Sequence, residues 1–315
     1  MIEDQDFLPV SQDEMHERGW WWYDFLLVTG DAYVDHPSFG PAVISRVLEA
    51  DGFRVAVLAQ PDWHDAAAFR AMGRPRLGVF IGAGNLDSMV AHYTAAKRRR
   101  SEDFYSPGKR SGCRPDRAAI VYCNRAREAF GPDMPIILGS LEASLRRFAH
   151  YDYWDDSVRR AILFDAPADL LVYGMGEAAT IEIAHRLKKK QSVRTMTDIP
   201  GTGYITRDPS VCKFDHITLP SFEDVRDDKR LYAEATRTEY AEHDPIRGRA
   251  MIQPCEGRYL IINPPAMPLD TKELDRVAEL PYTREWHPMY EPLGGVPAIE
   301  EVRFSVIHNR GCFGG

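Results

Sequence analysis

Phe25-Leu-Leu-Val-Thr29, closed by Gly30, is the stretch whose reading decides the fold. Its continuous run without polar alternation describes a strand buried on both faces. Downstream, Pro41 suits a helix's first turn, and Ile44, Val47 and Leu48 recur on one face as far as Glu49. Gly52 suits the left-handed position just past that helix. Phe53-Arg-Val-Ala-Val-Leu-Ala59 reads as a second strand, Leu77-Gly-Val-Phe-Ile81 as a third, Pro135-Ile-Ile-Leu138 as a fourth and Leu170-Leu-Val-Tyr173 as a fifth. Between them, Asn85 offers a cap for a helix through Met89 and Tyr93, and the polar stretch from Lys97 to Gly112 reads as a surface loop. Further helices are expected from Pro115 to Phe130 and from Glu177 to Lys190, the second with an acid at its start and bases at its end. Strands and helices in alternation imply a parallel sheet covered on both faces, a doubly wound, mostly parallel α/β domain over residues 1–190.

Sheets of this kind bind ligands at the carboxyl ends of their strands. Here those ends carry Gly30-Asp31, Gln60-Pro61-Asp62, Gly82-Ala83-Gly84-Asn85, Gly139-Ser140 and Gly174-Met-Gly-Glu177. The candidate crevice is therefore assigned to Asp31, Asp35, His36, Gly84, Gly174 and Glu177. His64 stands near enough to the second strand end to join the acids, and an imidazole titrates near neutral pH. The competing reading is a histidine simply satisfied by hydrogen bonds. The dinucleotide spacing GxGxxG occurs at none of these turns. His150-Tyr-Asp-Tyr-Trp-Asp-Asp156 reads either as packing against a neighbouring element or as a metal or substrate loop.

Residues 191–300 read as a connector, broken by prolines at 200, 209, 220, 245, 254, 264, 265, 268 and 281. It carries an expected helix from Ser221 to Glu242, a strand at Arg258-Tyr-Leu-Ile-Ile262 and a helix from Asp270 to Glu279. Residues 301–315 open with another expected strand, Val302-Arg-Phe-Ser-Val-Ile307, and run into His308-Asn-Arg-Gly-Cys-Phe-Gly-Gly315.

The 44% hydrophobic and 27% charged composition is that of a globular chain, and the net charge of -8 argues against general affinity for nucleic acid. No run of about 20 apolar residues is present to span a membrane, and the acidic opening lacks the order of a signal peptide, so a cytoplasmic location is expected. Five cysteines (113, 123, 212, 255 and 312) form no CxxC pair and no disulfide framework.

Seven odd-composition words in fixed order carry a resemblance: Leu27-Val-Thr-Gly-Asp-Ala-Tyr-Val-Asp-His-Pro-Ser-Phe-Gly40, Ala59-Gln-Pro-Asp-Trp-His64, Ala83-Gly-Asn-Leu-Asp-Ser-Met89, Glu142-Ala-Ser-Leu-Arg-Arg147, His150-Tyr-Asp-Tyr-Trp154, Ile262-Asn-Pro-Pro-Ala266 and Arg310-Gly-Cys-Phe-Gly-Gly315. From about Phe7 to Gly315 the chain resembles the amino-terminal part of the YgiQ-like radical S-adenosylmethionine proteins. It departs from them at Gly139-Ser140, where that family has a second glycine.

The resemblance implies a flavodoxin-like or cobalamin-binding-like sheet domain, then the first strand of a radical S-adenosylmethionine barrel that would follow. It makes Cys312 the first ligand of a CxxxCxxC motif inside which the sequence stops. In such proteins three thiolates hold a [4Fe–4S] cluster, and S-adenosylmethionine binds the fourth iron. The implied partners are the missing carboxyl-terminal barrel and a substrate that no residue identifies. Cobalamin on the sheet is a further expectation, although Asp35-His36-Pro37-Ser38-Phe39-Gly40 puts the histidine one place early for DxHxxG. The alternative to an enzyme's amino-terminal part is a corrinoid- or partner-binding module without catalysis.

Overall fold

The apolar runs align into one sheet because each is buried on both faces and needs paired neighbours along its length. In the computed structural model, which describes residues 7–305, the strands of the main sheet are, in chain order, β1 Phe25–Thr29, β2 Val55–Ala59, β3 Gly78–Gly82, β4 Ile136–Leu138, β5 Leu170–Val172, β6 Thr202–Thr206, β7 His216–Thr218, β8 Ala250–Cys255 and β9 Arg258–Ile262. They form a nine-stranded sheet in the order β7-β8-β9-β6-β5-β4-β3-β1-β2. The stretch from β2 to β5 is parallel, with Phe25 opposite Val55 on one side and Gly78 on the other. Beyond β5 the direction reverses: β6 is antiparallel to β5 and to β9, and β9 is antiparallel to β8.

Side chains alternate across the sheet and meet helices on both sides. Phe25, Leu27, Phe80, Ile137 and Val172 pack with Val43 and Val47 of α1 (Gly40–Ala50). Leu26, Val28, Ile81 and Leu138 pack on the other face with Ala119, Tyr122 and Cys123 of α2 (Ala118–Phe130). After β4 comes α3 (Ser140–Leu145), and after β5 comes α4 (Glu177–Lys188), which joins α1 on the first face through Ile183 and Ala184. The doubly wound, mostly parallel α/β architecture expected from the sequence is the one formed.

Four local expectations change. The helix after β3 spans Ser88–His92, and its cap is Asp87, which accepts from the amides of Met89 and Val90, rather than Asn85. The helix expected from Ser221 is two: Phe222–Asp227, with a capping box between Ser221 and Asp224, then α5 (Lys229–Ala241) restarted by Asp228. The stretch 191–300 supplies four strands of the sheet where one was expected. Finally, Val302 to Ser305 are not strand: the Val302 and Arg303 amides both donate to the carbonyl of Ile299, so a turn consumes the donors that a ladder would need. The remainder of that expected strand, and Cys312, lie outside the described residues.

Candidate ligand crevice

From β1 the chain passes to β2 at the sheet edge and then crosses back to β3 on the other side of β1, which makes the gap between β1 and β3 a topological switch point. A cavity of about 360 Å³ opens there. Its floor is apolar (Leu27 and Val28 of β1, Phe80 and Ile81 of β3, Ile137 and Val172), and Val43 and Ile44 of α1 form one wall. Glu177 and Thr180 of α4 and Ser144 of α3 face it from the other side, and Gly84, Gly139, Gly174 and Gly176 shape its rim. Apolar walls with few polar groups and a volume of several hundred Å³ are the ordinary properties of a small-molecule site.

Of the six residues expected at this crevice, the structure brings together three: Gly84, Gly174 and Glu177. Glu177 is 2% exposed and opens α4, where a carboxylate complements the helix dipole. Gly84 has φ +111°, and a Cβ there would overlap the Asp31 carboxylate, so only glycine lets the strand end pass that close. Gly30 is held for a similar reason, since a Cβ would strike the carbonyl of Ala83.

The other three lie behind or beside the cavity with their polar atoms engaged. Asp31 accepts from Arg114 Nη1 at 2.6 Å and from the Asn85 amide at 2.6 Å. Burial works against the Arg114 charge, yet Asp31 and Asp103 outweigh it and hold the guanidinium protonated above its ordinary range. Asp35 is fully buried, pairs with Arg46 at 2.5 Å and accepts from the Thr283 amide. His36 accepts from the Ser38 amide through Nδ1, and burial, reinforced by the Arg284 charge, pushes it down to about 4. His64 stands apart on the surface against Asp62. Periodicity shows which residues reach a strand end but not which arginine arrives from 83 positions away to neutralise one.

Two residues matter more than their sequence suggested. Asn85 ties the mouth together, its Oδ1 accepting from the Gly40 amide and its Nδ2 donating to the carbonyl of Ser38. Ser140 sits on the rim at φ +72°, in the left-handed region that favours glycine. Its Oγ accepts from the Ala83 amide at 3.1 Å.

Among the described residues no group of three or more histidines, cysteines or acids is arranged to hold a metal ion. Cys113, Cys123, Cys212 and Cys255 are free thiols, and burial pushes Cys255 up to about 12, whereas iron ligands must be thiolates. These residues therefore do not fit a [4Fe–4S] cluster. Nor does any cavity-lining residue bear the imidazole that histidine-ligated cobalamin would need. The 150–156 segment is a hairpin: His150–Asp152 pairs with Ser157–Arg159, and Asp152 and Asp155 bind Arg117.

The chain folds as an α/β sheet domain with a largely apolar cavity at its switch point. The chain belongs to the radical SAM N-terminal family, which it matches over residues 7–305. It is 53% identical over 313 residues to a UPF0313 protein of Clostridium botulinum strain 657, covering 99% of this chain and 49% of that protein. A UPF0313 protein of Clostridium perfringens strain SM101 is also 53% identical over 313 residues, with 99% and 47% covered. The chain thus spans about half the length of the curated relatives it matches. Among solved structures it is similar to TsrM, a radical S-adenosylmethionine methyltransferase from Kitasatospora setae solved with cobalamin and a [4Fe–4S] cluster bound. That match has a TM-score of 0.36 and 20% identity, over 58% of this chain and 27% of that one. No helix among the described residues is long and apolar enough to cross a membrane.

Proposed function

We propose that this chain is the amino-terminal part of a radical S-adenosylmethionine enzyme, and that its sheet holds a small organic molecule at the strand ends for the catalytic barrel to act on. The observation that carries the crevice part is the apolar cavity at the switch point, rimmed by glycines and bearing one buried carboxylate, Glu177. The enzyme part is supported by the family match. When bound, the cluster and S-adenosylmethionine supply an adenosyl radical; the residues of this chain bind and orient the molecule and keep water from it. Cys312 is the residue that would contribute to cluster binding.

The experiment compares this polypeptide with a full-length clostridial relative, both reconstituted anaerobically with ferrous iron and sulfide. The relative is expected to cleave S-adenosylmethionine to 5′-deoxyadenosine. Residues 1–315 expressed alone, whose described residues hold no group of three or more His, Cys or acid side chains arranged for a metal ion, are expected to stay colourless and inactive. A brown, iron-loaded preparation of this polypeptide, or a reconstituted relative that leaves S-adenosylmethionine intact, would overturn the reading.

A further inference from the structure

The stretch 97–110 carries six exposed cations, Lys97, Arg98, Arg99, Arg100, Lys109 and Arg110, against one exposed acid, Glu102. Its other acid, Asp103, is buried on Arg114. Among the described residues none of the six cations has a carboxylate within ion-pair distance. Nor are the charges dispersed along a loose tail. Backbone bridges pair Tyr93 with Arg99 and Glu102 with Arg110, and the Asp103 amide donates to the Lys109 carbonyl at 3.0 Å. Arg99 Nη2 lies against Gly112, 3.5 Å from where a Cβ would stand. Holding like charges together in a fixed fold costs free energy through their repulsion, and a polyanion recovers that cost.

Aromatic rings are set among these cations. Tyr153 and Phe104 are half-exposed, with Lys97 Nζ 4.9 Å from the centroid of the first and Lys109 Nζ 4.9 Å from that of the second. Tyr93 and Trp154 pack together beside them with centroids 5.3 Å apart, and Lys97 donates to the Trp154 carbonyl. We propose that this surface binds single-stranded nucleic acid, its cations on the phosphates and its rings against unpaired bases. A phospholipid surface would attract the same cations, but the tyrosine hydroxyls are tied back to the protein. Tyr153 donates to the Ala95 carbonyl at 2.6 Å and Tyr93 to Asp116 at 2.8 Å. Rings held in this way do not extend into an acyl layer, whereas a base can stack on a ring fixed in place. Asp116, an acid that Arg99 influences from a neighbouring segment, is already engaged by His92 and Tyr93. The net charge of -8 is an average over the whole chain, and acids more than a Debye length away, about 8 Å at physiological salt, are largely screened from the patch. The inference does not depend on the crevice.

The test titrates the chain into fluorescein-labelled oligouridylate and oligothymidylate of about 12 nucleotides, and into a duplex of equal length, followed by fluorescence anisotropy. At least one single strand is expected to bind at low salt. The logarithm of its affinity should fall against the logarithm of salt concentration with a slope between about −2 and −4, the release expected from roughly three to six phosphates. The single strand that binds tighter separates RNA from DNA. Combining Arg98→Gln, Arg99→Gln and Arg110→Gln is expected to lower the affinity about tenfold or more and to flatten the slope by about 2. These side chains are exposed and without ion pairs, so the variant should keep the native Tm. A control combining Arg207→Gln, Arg230→Gln and Arg237→Gln removes three exposed arginines elsewhere and is expected to change the affinity less than about threefold. Failure of both single strands to bind overturns the inference, as does a duplex that binds as tightly as either. A control variant that loses as much affinity as the patch variant also overturns it. Retention on phosphatidylserine vesicles in place of the oligonucleotides would assign the patch to a membrane instead.

Discussion

Arg114 and Asp31 form an ion pair 2.6 Å long, with side chains 0% and 1% exposed, directly behind the glycine that shapes the crevice rim. Arg114 also reaches Asp103 at 2.7 Å, and Ser106 Oγ donates to the same carboxylate. The 97–112 loop, read from sequence as surface, is therefore pinned to the end of β1 by buried charge, although residues 97–100 are exposed as expected.

Replacing Arg114 by methionine leaves two carboxylates buried without their cation. The expected cost is about 3–5 kcal/mol, measured by urea denaturation followed by circular dichroism. Adding Asp31→Asn should cost less than the sum of the two single changes, by at least about 1 kcal/mol. Simple additivity would mean that the pair does not act as a unit.

Ser140 balances two opposing terms. Its left-handed backbone costs about 1–2 kcal/mol relative to glycine, and its hydroxyl returns about 1 kcal/mol by accepting from the Ala83 amide. Ser140→Gly is expected to stay within about 1 kcal/mol of the native stability. Ser140→Ala keeps the strain and loses the bond, and should fall by about 1–2 kcal/mol. Equal stabilities for the glycine and alanine variants would remove the backbone term from this account.

How much of this could be read in advance follows from what each residue is packed against. β1 to β5 were legible because burial on both faces leaves an unbroken apolar run. β6 was not: Thr202-Gly-Tyr-Ile-Thr206 mixes polar and small residues because its end emerges from the core. β8 was hidden by Pro254, which argues against an interior strand. It is tolerated because β7 pairs only with Ala250 to Ile252, so Pro254 lies past the last residue of that ladder. At the crevice, the glycine turns were readable from local pattern. The burial of Asp31 and Asp35 in ion pairs was not, since a carboxylate's partner is set by tertiary packing.

The His36 imidazole gives a signed pH dependence. Burial, with Arg284 nearby, holds it neutral down to about 4 in the folded chain, against about 6.5 when unfolded. Above pH 6.5 both states are neutral and the residue contributes no slope. As pH falls from 6.5 towards 4 the unfolded state takes up the proton first, so stability drops, by at most about 3 kcal/mol in total. His36→Gln should flatten the stability curve across that window relative to the native chain, whatever its offset. Parallel curves between pH 6.5 and 4 would contradict the assignment.

The corrinoid expectation can be settled spectroscopically from the same histidine. Ligation of cobalt by a protein imidazole requires an unprotonated ring nitrogen that can reach the crevice. His36 spends Nδ1 on the Ser38 amide, is 0% exposed, and is absent from the cavity lining. Freeing it would break the turn at Ser38, whose carbonyl also holds Asn85 at the mouth. Hydroxocobalamin added to this chain is therefore expected to show no exchange of its lower ligand for a protein histidine, followed in the visible bands. A histidine-ligated spectrum that disappears in His36→Gln would mean that the 36–40 loop opens to reach the metal, and that the crevice is built for a far larger ligand than its 360 Å³ volume suggests.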